Sequence, residues 1–150
     1  QEVTGVQTCA LPICFDYGLK RIGVAVTDEL KIISSPYDTI PTSKIFNFIS
    51  EYISNNNIDQ FVVGLPYDLK GNETDATKHT LDFIKLLKIK FPTISVDTYD
   101  ERYTSKIAKD SILSMGKSKK FRQNKSNVDK ISASIILQSY LKRKNLWYIQ

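Results

Sequence analysis

Apolar positions first alternate and then change period along the chain. Ile22, Val24 and Val26 alternate through RIGVAVT, which is a strand pattern, and Gly23 within it marks a close backbone approach. Cys14 to Asp16 reads as the end of a preceding strand, with Tyr17 to Lys20 as a tight hairpin. Asp28 and Glu29 make a turn, Lys31 to Ser34 is expected as a third strand, and Pro36 and Pro41 frame a loop. Helical spacing follows at Ile45, Phe46, Ile49, Tyr52 and Ile53, with Thr42 or Ser43 expected to cap the start and Asn55 to Asn57 to end it. The short apolar run from Phe61 to Pro66 lies between two helical stretches and reads as a buried parallel strand. Gly71 is the turn residue of the loop after it.

A second helix is predicted from about Thr74 to Lys90, stopped by Pro92. Ile94, Val96 and Thr98 alternate as another strand. A third helix is predicted from Thr104 or Ser105 through Leu113, with Gly116 as its C′ residue. Ser126 is expected to cap a long last helix carrying Val128, Ile131, Ile135, Ile136, Tyr140 and Leu141. Three hairpin-like strands followed by βαβ units predict an α/β fold with a mixed sheet.

The 150 residues suit one domain, and no apolar stretch approaches a membrane span. The formal net charge of +5 hides an asymmetry. Residues 1–101 hold 9 basic and 14 acidic residues, whereas residues 102–150 hold 12 basic and 2 acidic ones, a balance of −5 against +10. A segregated basic third points to a polyanion partner, the other reading being a solvated Lys-rich surface. Its densest part is KSKKFRQNK, Lys117 to Lys125, with five basic residues and no acid.

Residues 3–13 read VTGVQTCALPI, an eleven-residue match to the in-frame translation of a common sequencing-library adapter. We therefore expect 1–13 to be a non-native segment, 14–144 the folded domain and 145–150 a tail. Cys9 and Cys14 lack the neighbours of a zinc site and say little about redox compartment. The segment has no basic n-region of a signal peptide, which leaves a cytoplasmic protein as the default.

Phosphodiester hydrolysis by metal ions needs carboxylates that converge from different elements. Mg²⁺ takes hard oxygen ligands, so Asp and Glu are the candidates. His79 falls on a predicted helix in the acidic part and reads as a surface residue. Three acids stand out. Asp16 closes the first strand, where it also suits a turn. Glu101 follows the strand ending at Tyr99, where an acid would also meet a helix dipole; its neighbour Asp100 should point the other way. Asp129 lies three residues after Ser126, so the two also resemble a capping box. Spacing alone leaves both readings of each acid open.

FDYGLKRIGVAVTDE, VVGLP, DERYTSKIA and KKFRQNKSNVDKISASIILQSYL occur in this order. The set resembles the YqgF (RuvX) family of bacterial nucleases and spans about Phe15 to Leu141. The resemblance implies an RNase H-like fold, a five-stranded mixed sheet with flanking helices and the first strand central. It implies a metal-dependent nuclease that processes the 5′ end of precursor 16S rRNA or acts as a Holliday junction resolvase-like enzyme on branched DNA. Its aspartate of D-x-G falls on Asp16, its glutamate of D-E-R on Glu101 and its aspartate of V-D-K on Asp129, which together would hold Mg²⁺ or Mn²⁺ and carry catalysis.

Nucleic-acid contacts are expected from Lys20 and Arg21 at the hairpin, from Arg102 and Lys130 beside the acids, and from Lys117, Lys119, Lys120, Arg122 and Lys125 in the basic run. Arg102 and Lys130 would equally serve to neutralise the acids, and Phe121 would stack on a base or anchor the loop. The front departs from the family pattern: Pro12 cannot donate a ladder hydrogen bond in what should be a central strand. The resemblance implies precursor rRNA or branched DNA as the partner, with no membrane, and a monomer or homodimer is expected. A non-catalytic RNA-binding module and an ATP-binding fragment of the actin and sugar-kinase superfamily are the competing classes, the latter disfavoured by length.

Overall fold

The computed structural model describes residues 10–102 and 124–149. Five strands form one mixed sheet: β1 (Leu11–Asp16), β2 (Arg21–Thr27), β3 (Ser34–Pro41), β4 (Ile58–Leu65) and β5 (Ser95–Asp100), in the order β3-β2-β1-β4-β5. β1 is central, antiparallel to β2 and parallel to β4, and β5 runs parallel to β4. Helices α1 (Ile45–Asn55), α2 (Asp75–Lys90) and α3 (Lys125–Ile149) complete the described elements.

The pleat of β1 divides the interior in two. Ile13 and Phe15 face one side, packed with Phe61 and Val63 of β4, Ile45 and Ile49 of α1, and Phe83 and Leu87 of α2. Cys14 faces the other side, with Ala25, Val62 and the α3 residues Ala133, Ile136, Leu137 and Tyr140. Asp16 continues the Cys14 face, so it ends β1 on the side covered by α3. The Tyr140 hydroxyl donates to Asp97 Oδ2 at 2.8 Å and ties α3 to β5.

α2 starts where expected, with a reciprocal Thr74–Thr77 capping box. Four local expectations need correction. The third strand is Ser34–Pro41 and not Lys31 to Ser34. Asp28 Oδ1 accepts from the Ile32 and Ile33 backbone N–H groups, and Lys31 takes φ 59°, so 28–33 is a stabilised loop. Pro36 and Pro41 are tolerated because β3 is an edge strand, and the pairing with β2 slips between Val24 and Ala25, leaving Tyr37 bulged.

Thr42 and Ser43 do not cap α1. They lie in a 3₁₀ turn (Thr42–Lys44), and Thr42 Oγ1 instead donates to the Gly18 carbonyl at 2.7 Å. Ser126 is not at the cap position of α3: the helix begins at Lys125, and the Asn124 carbonyl accepts from the Asn127 and Val128 backbone N–H groups. β1 begins at Leu11, three residues before Cys14, with a register slip against β4 between Leu11 and Pro12. The helix expected from 104 or 105 onward lies outside the described residues.

Candidate active site

Asp16 ends β1 between two glycines. Its antiparallel partner on β2 is Gly23. On β4, the pairing of Phe15 with Val63 brings Gly64 alongside it at the next step. Both glycines make room on the α3 face. A Cβ at Gly23 would strike the Asp129 backbone carbonyl, so the first turns of α3 rest directly on β2. A Cβ at Gly64 would collide with Glu101 Oε2 and would lie 2.7 Å from Ile136 Cδ1. Asp129 and Glu101 thereby approach Asp16 from opposite sides, one over each glycine.

The backbone around these acids is pinned. Tyr17 stacks on Phe83 of α2 with ring centroids 4.8 Å apart, and Thr42 holds Gly18, which fixes the turn that follows Asp16. The Glu101 backbone N–H donates to the Leu65 carbonyl at 3.1 Å, joining the ends of β5 and β4.

The electrostatics follow from this crowding. Burial, then the Asp129 charge, pushes the Asp16 carboxyl up to about 7. Burial, then Asp16 and Asp100, pushes Glu101 up to about 8. Burial also raises Asp129, offset by the Arg21 and Lys125 cations. Cys14 beneath them is a free thiol pushed up by burial and by Asp16 and Glu101. Asp16 is thus the centre of the arrangement, coupled to each of the other two acids.

The three acids do not form a ready-made cage. Among the described residues no three His, Cys, Asp or Glu side chains stand close enough to share one ion. Asp129 Oδ2 instead lies 3.5 Å from Arg21 Nε. The donor set of partly buried, charge-raised carboxylate oxygens at Asp16 and Glu101 fits a hard divalent cation, which would relieve their repulsion.

An open groove of about 340 Å³ lies beside Asp16 and Asp129 and is lined by Lys20, Arg21 and Lys125. Lys130 follows Asp129 where α3 meets Gly23. Arg102 turns to Asp100, with Nε 2.8 Å from Oδ2, so in this state it neutralises an acid. Asp129 is the fifth residue of α3 and so does not complete a capping box with Ser126. His79 is exposed on α2. Lys117, Lys119, Lys120, Phe121 and Arg122 lie outside the described residues. The role of Gly64 escaped the reading of residue types, although VVGLP carried the signal: a glycine inside an apolar strand marks close approach.

The profile of the RuvX family, described as Holliday junction resolvase, matches residues 11–143. The chain is 44% identical over 137 residues to the "Putative pre-16S rRNA nuclease" of Amoebophilus asiaticus, covering 91% of this chain and 97% of that relative. It is 41% identical over 132 residues to the protein of the same description from Bacteroides thetaiotaomicron, covering 88% and 96%. Among solved structures it is similar to "T. thermophilus RuvC in complex with Holliday junction substrate", with TM-score 0.55, 13% identity and coverage of 91% and 96%. It is similar also to a second Thermus thermophilus RuvC structure, with TM-score 0.52, 11% identity and coverage of 91% and 97%. At these identities the likeness to RuvC is one of fold, and that fold is RNase H-like. By sequence, this chain belongs to the RuvX family.

Proposed function

We propose that this protein is a metal-dependent endonuclease that hydrolyses phosphodiester bonds of structured nucleic acid, with the precursor of 16S rRNA as its substrate. The observation that carries this reading is the pairing of Asp16 with Glu101. One carboxylate ends β1 and the other directly follows β5; both are partly buried, and the Asp16 charge raises the proton affinity of Glu101. A fold that needed only stability would not keep such a pair at the end of its central strand.

Asp16 and Glu101 are the ligands proposed for Mg²⁺ or Mn²⁺, with Asp129 as the third acid. The cation would supply charge neutralisation for the phosphate under attack and activation of the attacking water. The chain's own residues do the rest. Gly64 leaves the Glu101 carboxylate its place over β4, and Gly23 lets Asp129 reach the same end of the sheet. Arg21 holds Asp129 and, with Lys20 and Lys125, lines a groove in which flanking phosphates would be neutralised. Arg102, Lys130 and the basic residues Lys117, Lys119, Lys120 and Arg122 are proposed to extend that phosphate contact. No helix among the described residues is long and apolar enough to cross a membrane. The proposed substrate puts the protein's work in the cytoplasm.

The relatives are named for pre-16S rRNA and the family profile for the Holliday junction. Incubation of the protein with RNA carrying the precursor 5′ end, and separately with a four-way DNA junction, tests the choice. Preferential cutting of the RNA is expected. Preferential cutting of the junction would overturn the substrate while keeping the nuclease.

A further inference from the structure

The groove at Lys20, Arg21 and Lys125 accounts for one side of the acids. A second, larger groove of about 470 Å³ opens on the other side, along the outer strand β5. Its walls come from three places: Asp100 and Arg102 at the end of β5, Tyr67 and Gly71 in the turn after β4, and Arg143 of α3. Asp100 and Arg102 are the two neighbours of Glu101, so the groove begins where the acids end.

Arg143 is held in an unusual way for a surface cation. Its guanidinium lies over the Tyr99 ring, 5.1 Å from the centroid, and over the Tyr140 ring at 5.5 Å. Tyr140 is itself fixed, because its hydroxyl donates to Asp97 on β5. Arg143 makes no ion pair with a carboxylate among the described residues. It is not a helix-end cation either, since α3 runs on to Ile149. A guanidinium positioned by aromatic rings retains its N–H donors for another partner, and their fork matches two oxygens of a phosphate.

Arg102 supports the same ligand. Asp100 orients it through Nε, and its Nη1 lies 3.1 Å from the place of a Cβ on Gly71. Gly71 has φ +86°, a conformation that favours glycine, so the turn passes close over Arg102 with no side chain in the way. The groove carries two guanidiniums against one carboxylate, and that carboxylate is already paired.

We propose that Arg143, with Arg102, forms a second phosphate-binding groove that takes the nucleic-acid backbone on the β5 side of the cut. The strand would then cross the carboxylates between two cationic grooves, one on each side. The identity of the strand rests on the nuclease reading; the phosphate site itself is tested without cleavage.

The test is fluorescence anisotropy of a labelled precursor-rRNA fragment binding to the full chain in chelator, at several salt concentrations. Arg143→Gln should weaken binding roughly tenfold and lower the slope of log Kd against log salt by about one phosphate contact. Arg143→Lys, which keeps the charge and loses the fork, should recover part of the affinity and most of the slope. Melting temperatures measured alongside separate a binding defect from a folding defect. Unchanged affinity and slope in folded Arg143→Gln overturn the proposal, as does wild-type protein that fails to bind the RNA. If Arg143→Gln does not fold, an Arg143→Lys variant that is folded and binds with wild-type affinity overturns the requirement for the guanidinium fork. Failure of the nuclease reading would appear differently, as absence of cutting in any metal with this binding pattern intact.

Discussion

The carboxylate of Glu101 occupies the space that a Cβ on Gly64 would fill. Gly64 lies on β4 and Glu101 directly follows the neighbouring parallel strand β5, and the absence of one side chain on β4 is what admits the acid from the end of β5. Glu101 owes its high proton affinity to this berth, which withdraws it from water and leaves it beside Asp16.

Gly64→Ala should therefore displace Glu101. The added methyl group meets both the carboxylate and Ile136, so overpacking should cost roughly 1–3 kcal/mol of stability. Cutting should fall far more than stability does, by about a hundredfold or more, because a misplaced acid loses its geometry. A melting curve and a cleavage rate measured on the same preparation check both.

Asp16 and Glu101 make stability depend on pH in a stated direction. Both are held above the values they have in the unfolded chain, at about 7 and about 8. The native state therefore binds more protons than the unfolded state between about pH 4 and pH 8. The metal-free protein should be most stable at the acid end of that window, as far as these two groups decide it, and should lose stability as pH rises through 7 and 8. Asp16→Asn removes one charge and should raise the metal-free melting temperature at pH 8.5 by roughly 3–6 °C. Mg²⁺ should stabilise the wild type more at pH 8 than at pH 5. Differential scanning fluorimetry across pH, with chelator and with metal, reads all three effects.

Arg21 separates a small structural role from a larger binding role. Its contact with Asp129 is partly exposed, with side chains 30% and 29% accessible, so Arg21→Ala should cost less than about 1 kcal/mol of stability. RNA affinity in chelator should drop several-fold, since the residue also lines the groove beside Asp16. Anisotropy titration beside a melt distinguishes the two.

Pro12 belongs to the segment we expect to be non-native, yet it lies within β1 and pairs with Gln60 of β4. A proline in the middle strand of the sheet withholds a ladder donor, and the pairing slips by one step beside it. Pro12→Val should raise the melting temperature by several degrees without altering the cleavage site. An unchanged midpoint would mean that the slip already absorbs the cost.

Much of this arrangement was legible in the sequence because the relevant signals are local. Alternation announced β2, helical spacing announced α2, and an apolar run between helices announced β4 as a parallel strand. Gly23 read correctly as a close approach, and the object approaching is the α3 backbone at Asp129. What failed was governed by tertiary competition. Thr42 looks like a cap, but its hydroxyl is taken by Gly18 across the sheet. The apolar residues Ile32 and Ile33 look like a strand, but Asp28 captures their N–H groups. Arg143 carries no motif at all, and only the packing of α3 against Tyr99 brings it to the groove. The contact between Arg21 at the start of β2 and Asp129 of α3 was equally invisible, because it depends on how α3 packs over β2.

The central claim is that Asp16 and Glu101 together run metal-dependent phosphodiester hydrolysis. The most direct measurement is the single-turnover cleavage rate of structured precursor 16S rRNA by wild-type protein, Asp16→Asn and Glu101→Gln, each with Mg²⁺, with Mn²⁺ and with chelator. The account predicts cutting by the wild type that requires metal, and a loss of about a thousandfold or more in both variants while they remain folded and still bind RNA. Metal-dependent cutting that persists at the wild-type rate in folded Glu101→Gln and Asp16→Asn would contradict it.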